Sequence, residues 1–191
     1  MNARSKTSSE VPSGDPTPSR SLRGPAVLAD PLVRELVEAR LIAVLTTLEP
    51  DGSVHAVAIW YAGIDEAIVF GTGSQSRKVR NLERDPRATV VLHDSRPGFE
   101  VCGASIRGRV DIVRGAEAER LVALVHHRYV TPDGRKLPGP ARFLDTDDVA
   151  LVFRPERAAS WDERQSDAAA ELRAADAAFP LEPTSPRSST R

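Results

Sequence analysis

Pro50-Asp51-Gly52 stands between two apolar runs, and this spacing commits the start of the fold to a β-hairpin. The first run is Leu41 to Leu45; in the second, Val54, Ala56, Ala58 and Trp60 alternate with His55, Val57, Ile59 and Tyr61. Proline fixes one φ of the turn and glycine takes a positive one, so the chain reverses within a few residues. A period of two excludes a helix over the second run. Both of its faces are largely apolar, which predicts a strand covered on both sides, central in a sheet or barrel.

Further strands are predicted at Ala67 to Phe70, Ala88 to His93, Phe99 to Val113 as one long strand or two with a kink at Gly103, and Val149 to Phe153. Helical spacing recurs in two places. Asp30-Pro31 opens a helix carrying Leu32, Val33, Leu36 and Val37, and Gly115 to Tyr129 carries Ala118, Leu121, Val122 and Val125 on one face. The loop from Thr131 to Pro140 is too rich in proline and glycine for regular structure to be expected. Many short strands and few helices predict a mainly β fold, a split β-barrel with flanking helices, and argue against βαβ units.

With 191 residues, 40% of them hydrophobic, the chain suits one domain with tails. The expected division is a disordered leader over 1–28, the barrel domain over 29–162, and an Ala-rich helix with a disordered tail over 163–191. No apolar run approaches about 18 residues, and residues 1–23 lack the apolar stretch of a signal peptide, so a cytoplasmic protein that contacts no membrane is expected. Cys102 is the one cysteine, which excludes an intrachain disulfide and a cysteine-based zinc site; it reads as a small buried hydrophobe. A net charge of −1 and 5% aromatic residues offer neither a basic face nor stacking platforms for nucleic acid.

The chemistry concentrates between Val69 and Asp94. An apolar strand ends at Phe70, Gly71-Thr72-Gly73-Ser74 turns the chain, and a helix opens near Ser74 or Ser76 with Arg77, Lys78 and Arg80 in its first two turns. Helix N-termini present unpaired N–H groups and a partial positive charge, so this is an anion site in the making. The same charges also suit a helix that merely keeps a solvated outer face over Val79 and Leu82, and the local sequence leaves both readings open. A dinucleotide-binding loop is excluded, because Ser76 stands where the third glycine belongs.

Ser76-Arg77-Lys78, with Phe70-Gly71-Thr72 before it and Asp85-Pro86-Arg87-Ala88 after it, resembles the pyridoxamine 5'-phosphate oxidase-like superfamily of flavin and deazaflavin oxidoreductases. The likeness extends to Leu41 through Thr47, Pro50 through Trp60 and Ala104 through Val113, roughly residues 30 to 162. It implies an FMN-binding split barrel acting as a homodimer, with the cofactor at the subunit interface. By the same resemblance Arg77 and Lys78 would hold the cofactor phosphate, helped by Ser76, Thr72 and the backbone at Gly71. The strand His55, Ala56, Val57, Ala58 and Ile59, with Thr46 and Trp60, would flank the ring. Trp60 reads equally well as an ordinary core aromatic.

The chain also departs from the vitamin B6 oxidases. Trp161 is followed by Asp-Glu-Arg-Gln-Ser-Asp and not by substrate-gripping Arg and His residues, and the flavin-contacting glutamine of those enzymes is replaced near Gly103. Vitamin B6 oxidation is therefore not expected. The compact strand pattern, the shortened C-terminal region and the Leu-Thr-Thr and Gly-Thr-Gly-Ser-Gln elements look more like the deazaflavin-using branch, so the resemblance favours the deazaflavin coenzyme F-420 over FMN, with hydride passing to a small conjugated acceptor. A third possibility is a non-catalytic flavin, haem or tetrapyrrole binder. No catalytic side chain and no metal site are assigned, and the pair His126-His127 is expected on the solvent side of its helix.

Overall fold

The computed structural model describes residues 20–95, 100–144 and 147–177. Fifteen elements follow in order: β1 (Arg20–Arg23), α1 (Ala26–Ala29), α2 (Pro31–Glu38), β2 (Ala43–Leu48), β3 (Val54–Ile59), β4 (Ala62–Ile64), β5 (Ala67–Gly73), α3 (Arg77–Arg84), β6 (Arg87–Ser95), β7 (Val101–Val113), α4 (Ala116–Tyr129), α5 (Pro132–Lys136), α6 (Pro138–Leu144), β8 (Asp148–Asp162) and α7 (Asp167–Ala174). All the pairings are antiparallel, and the sheet runs β3-β2-β6-β7-β8-β5-β4 with β1 added alongside β8. The predicted mainly β split barrel with flanking helices is the observed architecture, and its sheet does not close.

The hairpin forms as its turn chemistry dictates, with Leu48 opposite Val54, Ala43 opposite Ile59, and Gly52 at φ +85°. Its position differs from expectation. β3 is the last strand on its side of the sheet, with Val54, Ala56 and Ala58 exposed. The outward apolar face therefore has no layer of the described residues over it, and its pattern suits docking as well as it would suit a core strand.

Two segments expected to lack structure are ordered. Residues 20–28 fall within the predicted leader, yet β1 pairs with the end of β8, from Arg20 against Ser160 to Arg23 against Arg157, and Val27 of α1 is fully buried. Leu22 and Val27 supply the apolar contacts, a signal too short to stand out beside the Ser/Pro-rich residues before them. The loop 131–140 carries α5 and the start of α6. Pro132 occupies the first turn, where its missing N–H costs nothing, and the Thr131 hydroxyl accepts from the Gly134 N–H at 3.1 Å. The Ala-rich helix appears as α7, capped by Ser166. Residues 1–19 of the leader and the tail from 178 onward lie outside the described residues.

Strand ends and kinks also shift. β8 runs 15 residues, passing through Pro155, where only a short strand was expected. β7 is continuous through Gly103; its irregularity falls between Arg107 and Gly108, where the register against β8 slips.

The inward faces of this sheet enclose a core built around Phe70, Phe153, Leu45, Leu92, Ile106 and Leu151, all fully buried. Onto one end packs α2, for the reason its sequence gives: Asp30 accepts from the N–H groups of Leu32 and Val33, and Val33, Leu36 and Val37 turn inward. A second apolar cluster joins α4 to the far side of β5 and β8 through Ala118, Leu121, Val122 and Val125. Arg164 ties α2 to the end of β8 by bonding both Glu35 and Asp162.

Tyr61 locks these layers together. Its ring is fully buried, and its hydroxyl donates at 2.5 Å and 2.9 Å toward the carbonyls of Leu36 and Ala39 at the end of α2. Burial pushes its pKa up to about 12. A phenol whose folded value lies above its unfolded one contributes stability that is complete below the unfolded pKa and lost as pH rises through the folded value. The protein is therefore expected to lose stability between about pH 10, the unfolded tyrosine pKa, and about 12, its folded value. Ultraviolet phenolate absorbance and a pH series of urea melts check this, and a Tyr61→Phe variant should lack that component of the pH dependence.

Candidate functional site

The strand-turn-helix β5-α3 builds the cationic end of a cleft. Ser76 takes extended φ/ψ as the N-cap of α3, but its side chain makes no capping bond, which leaves the first-turn N–H groups facing outward with a hydroxyl beside them. The helix is fixed from below. Val79 and Leu82 are buried, and Asn81 Nδ2 donates to Thr47 Oγ1 at 3.1 Å, tying α3 to β2. Lys78 is half-buried and donates to Thr72 Oγ1 at 2.8 Å, while the Thr72 and Ser76 hydroxyls stand 3.4 Å apart. Burial lowers the Lys78 pKa, and the Asp148 carboxylate opposes that shift. A cation held in a partly dry position with a hydroxyl as its hydrogen-bond partner is a site prepared for an anion.

A cleft of about 720 Å³ opens from this end along β3 toward α4 and α6. Seven of the residues predicted from the sequence line it: Val57, Ala58, Ile59, Trp60, Gly71, Thr72 and Lys78. Ser76 adjoins them through Thr72. Four others stand apart. Thr46 Oγ1 donates to the Thr89 carbonyl at 3.1 Å and so serves the β2–β6 pairing. His55 and Ala56 lie on β3 opposite Thr47 and Thr46, outside the cleft lining. Arg77, with its side chain 65% exposed, turns to Glu49 at 3.6 Å. The equal division of labour expected of Arg77 and Lys78 is thus absent here: the lysine is in the cleft and the arginine is on its outer side.

Trp60 does both of the things the sequence left open. Its ring lines the cleft and also stacks on Tyr129 of α4, with centroids 4.9 Å apart and planes 6° from parallel. Tyr129 is itself pinned, donating to the Leu41 carbonyl at 2.6 Å. Gly71 has a second role: a Cβ there would come within 2.9 Å of Val122, so the missing side chain is what lets α4 lie against β5.

His126 overturns its expectation. It is half-buried at the cleft, edge-on to Trp60 with centroids 6.3 Å apart, while His127 is exposed. Burial lowers its pKa, Asp148 opposes this, and Arg135 and His127 reinforce it. The signal was present in the sequence, since His126 falls one turn after the inward-facing Val122. Val125, predicted on the apolar face of α4, also lines the cleft, as do Ile42, Arg142 and Asp148, which carried no local signal because each arrives from a different part of the chain.

Gly103 pairs directly with Trp161, and a Cβ at Gly103 would fall 2.3 Å from the indole Cζ2. The tryptophan ring fills the space that a side chain at 103 would need. Cys102 is buried as expected, which raises its thiol pKa. Among the described residues there is no cluster of potential metal ligands, and no helix is long and apolar enough to cross a membrane.

Residues 29–162 match the family described as pyridoxamine 5'-phosphate oxidase. A pyridoxine/pyridoxamine 5'-phosphate oxidase of Azorhizobium caulinodans is 35% identical over 80 residues, which span 41% of this chain and 36% of that relative's length. Among solved structures, the conserved hypothetical protein Rv2991 of Mycobacterium tuberculosis is 34% identical over 69% of this chain and 83% of its own, with a TM-score of 0.60. A structure described as an F-420 reductase is 28% identical over 65% of this chain and 94% of its own, with a TM-score of 0.53. With its family match covering most of the folded chain and its split-barrel sheet in place, this protein belongs to the pyridoxamine 5'-phosphate oxidase family.

Proposed function

We propose that the protein is an oxidoreductase that binds the deazaflavin coenzyme F-420 in the cleft between β3 and α3 and reduces a small conjugated acceptor. The observation that carries this reading is Lys78, a half-buried cation hydrogen-bonded to a hydroxyl at the mouth of an uncapped helix N-terminus. Phosphate oxygens suit that donor set, and the flat apolar wall formed by Val57, Ala58 and Ile59 suits the ring of a tricyclic cofactor. The likeness to an F-420 reductase over nearly all of that protein's length supports F-420 ahead of FMN.

When bound, the deazaflavin supplies the hydride. The chain's own residues do the rest. Lys78, Thr72, Ser76 and the first-turn N–H groups of α3 hold the phosphate, Trp60 is kept rigid by its stack on Tyr129, and His126 stands at the inner end where a proton is needed. A homodimer completes the proposal. Among the described residues β3 has no neighbour on its outer edge, and Val54 and Ile42 are 64% and 45% exposed, an apolar edge that a second copy would cover while closing the cleft.

The test is parallel titration of the purified protein with F-420 and with FMN, using an Arg77→Ala/Lys78→Ala double variant as control. Selective F-420 binding that the double variant loses is the expected result. FMN binding in its place would keep the site and change the cofactor. Binding of neither would overturn the oxidoreductase reading in favour of a tetrapyrrole binder.

A further inference from the structure

The cofactor cleft does not end at α4. His126 and Asp148, which line it, also line a second, open cavity of about 490 Å³ between α4, α5 and α6. We propose that this second cavity is the subsite for the acceptor, and that Arg135 there binds a carboxylate carried by the acceptor. The inference rests on the oxidoreductase reading for the word acceptor; the anion site itself rests on Arg135.

Arg135 is placed by the local structure of α5. Pro132 and the Thr131 cap fix the first turn, and the backbone N–H of Arg135 donates to the Thr131 carbonyl at 3.0 Å. The neighbouring cation on this helix goes the other way: Lys136 is 77% exposed and pairs with Asp133 at 2.9 Å. Arg135 lines the cavity and makes no ion pair among the described residues, so its charge is left for a ligand in the cavity to neutralise. Guanidinium geometry matches a carboxylate through two parallel bonds.

The other lining groups fit an acceptor of this kind. Val122, Ala123, Ala141 and Leu144 provide apolar wall for a conjugated skeleton. Of the two carboxylates present, Glu119 is exposed, and solvent screens it. Asp148 is shared with the cofactor cleft, where its charge opposes the lowering of the Lys78 and His126 pKa values by burial. A molecule anchored at Arg135 and reaching past His126 would present its far end to the cofactor cleft, which is the arrangement hydride transfer requires.

The probe is trans-cinnamate, a conjugated carboxylate, titrated by ligand-observed NMR into the full-length protein without cofactor, with cinnamyl alcohol as the uncharged analogue. Wild-type protein should bind cinnamate saturably, and Arg135→Gln should weaken it about 10- to 100-fold, the range expected for loss of a charged hydrogen-bond pair. Arg135→Lys should weaken it less, Lys78→Ala should leave it unchanged, and the weak binding of the alcohol should not respond to Arg135. Failure of cinnamate to bind, an unchanged affinity in Arg135→Gln, or loss of binding in Lys78→Ala instead would overturn the proposal. Both Arg135 variants are checked by thermal melting and by F-420 and FMN titration. Cinnamate binding through Arg135 in a protein that binds neither cofactor would keep the anion site and overturn the oxidoreductase reading. Intact cofactor binding with no role for Arg135 would do the reverse.

Discussion

Lys78→Ala is expected to raise the dissociation constant for the phosphorylated cofactor about 100-fold, corresponding to about 2–3 kcal/mol for a charge-assisted pair in a partly desolvated site. Arg77→Ala should cost much less. Both residues belong to the same pair and differ by one position in sequence, yet the helix sends them in different directions. Lys78 is half-buried in the cleft with Thr72 as partner, whereas Arg77 is exposed and paired with Glu49. Exposed charges act through high dielectric and are worth at most about 1 kcal/mol, so roughly a fivefold loss is the expected ceiling for Arg77→Ala. Fluorescence titration of the two single variants measures the ratio directly. Equal losses would mean that Arg77 leaves Glu49 and swings into the site on binding. The thermal midpoint of Lys78→Ala should match wild type within about 2 °C, since the lysine's burial is unfavourable and its hydrogen bond is to a neutral hydroxyl.

Gly108→Ala should be the most destabilising small substitution in the sheet. A Cβ built there falls 2.1 Å from the Arg154 carbonyl oxygen and 2.9 Å from Phe153 Cζ. The first of these is backbone of the paired strand and the second is a fully buried ring, so neither can move without opening the β7–β8 ladder. This is also where the register between those strands slips, so the two backbones come close at the irregularity itself. A cost of about 3 kcal/mol is expected for such an overlap, which lowers the melting temperature of a chain this size by roughly 6–12 °C. Gly73→Ala is the matched control. No atom lies within 4 Å of a Cβ at Gly73, and its midpoint should stay near wild type. Differential scanning calorimetry of the two variants decides the matter, and equal midpoints would show that the strands re-pair without cost.

Local chemistry explains which parts of this protein were legible beforehand. Asp30-Pro31, Pro50-Asp51-Gly52 and the 3.6-residue spacing of Ala118, Leu121, Val122 and Val125 each determine one element through contacts within a few residues, and each formed where the sequence predicted. The anion end of the cleft was legible for the same reason, because strand, glycine turn and helix N-terminus are contiguous in the chain. β1, β4 and α1 were not, since a strand of three or four residues has no periodicity of its own and exists by pairing with a longer one.

The sequence by itself determined the hairpin, the cationic helix and the class of fold, all properties of short segments and of their alternation. Tertiary structure alone decided which side of the helix faces the cleft, and so separated Lys78 from Arg77. It also brought His126 and Asp148 to the wall shared by two adjoining hollows, with Arg142 in one and Arg135 in the other, from four different elements. The reason is geometric: residues 42 to 148 meet there only after the sheet has twisted and α4 has settled against Gly71, and no local rule records that approach.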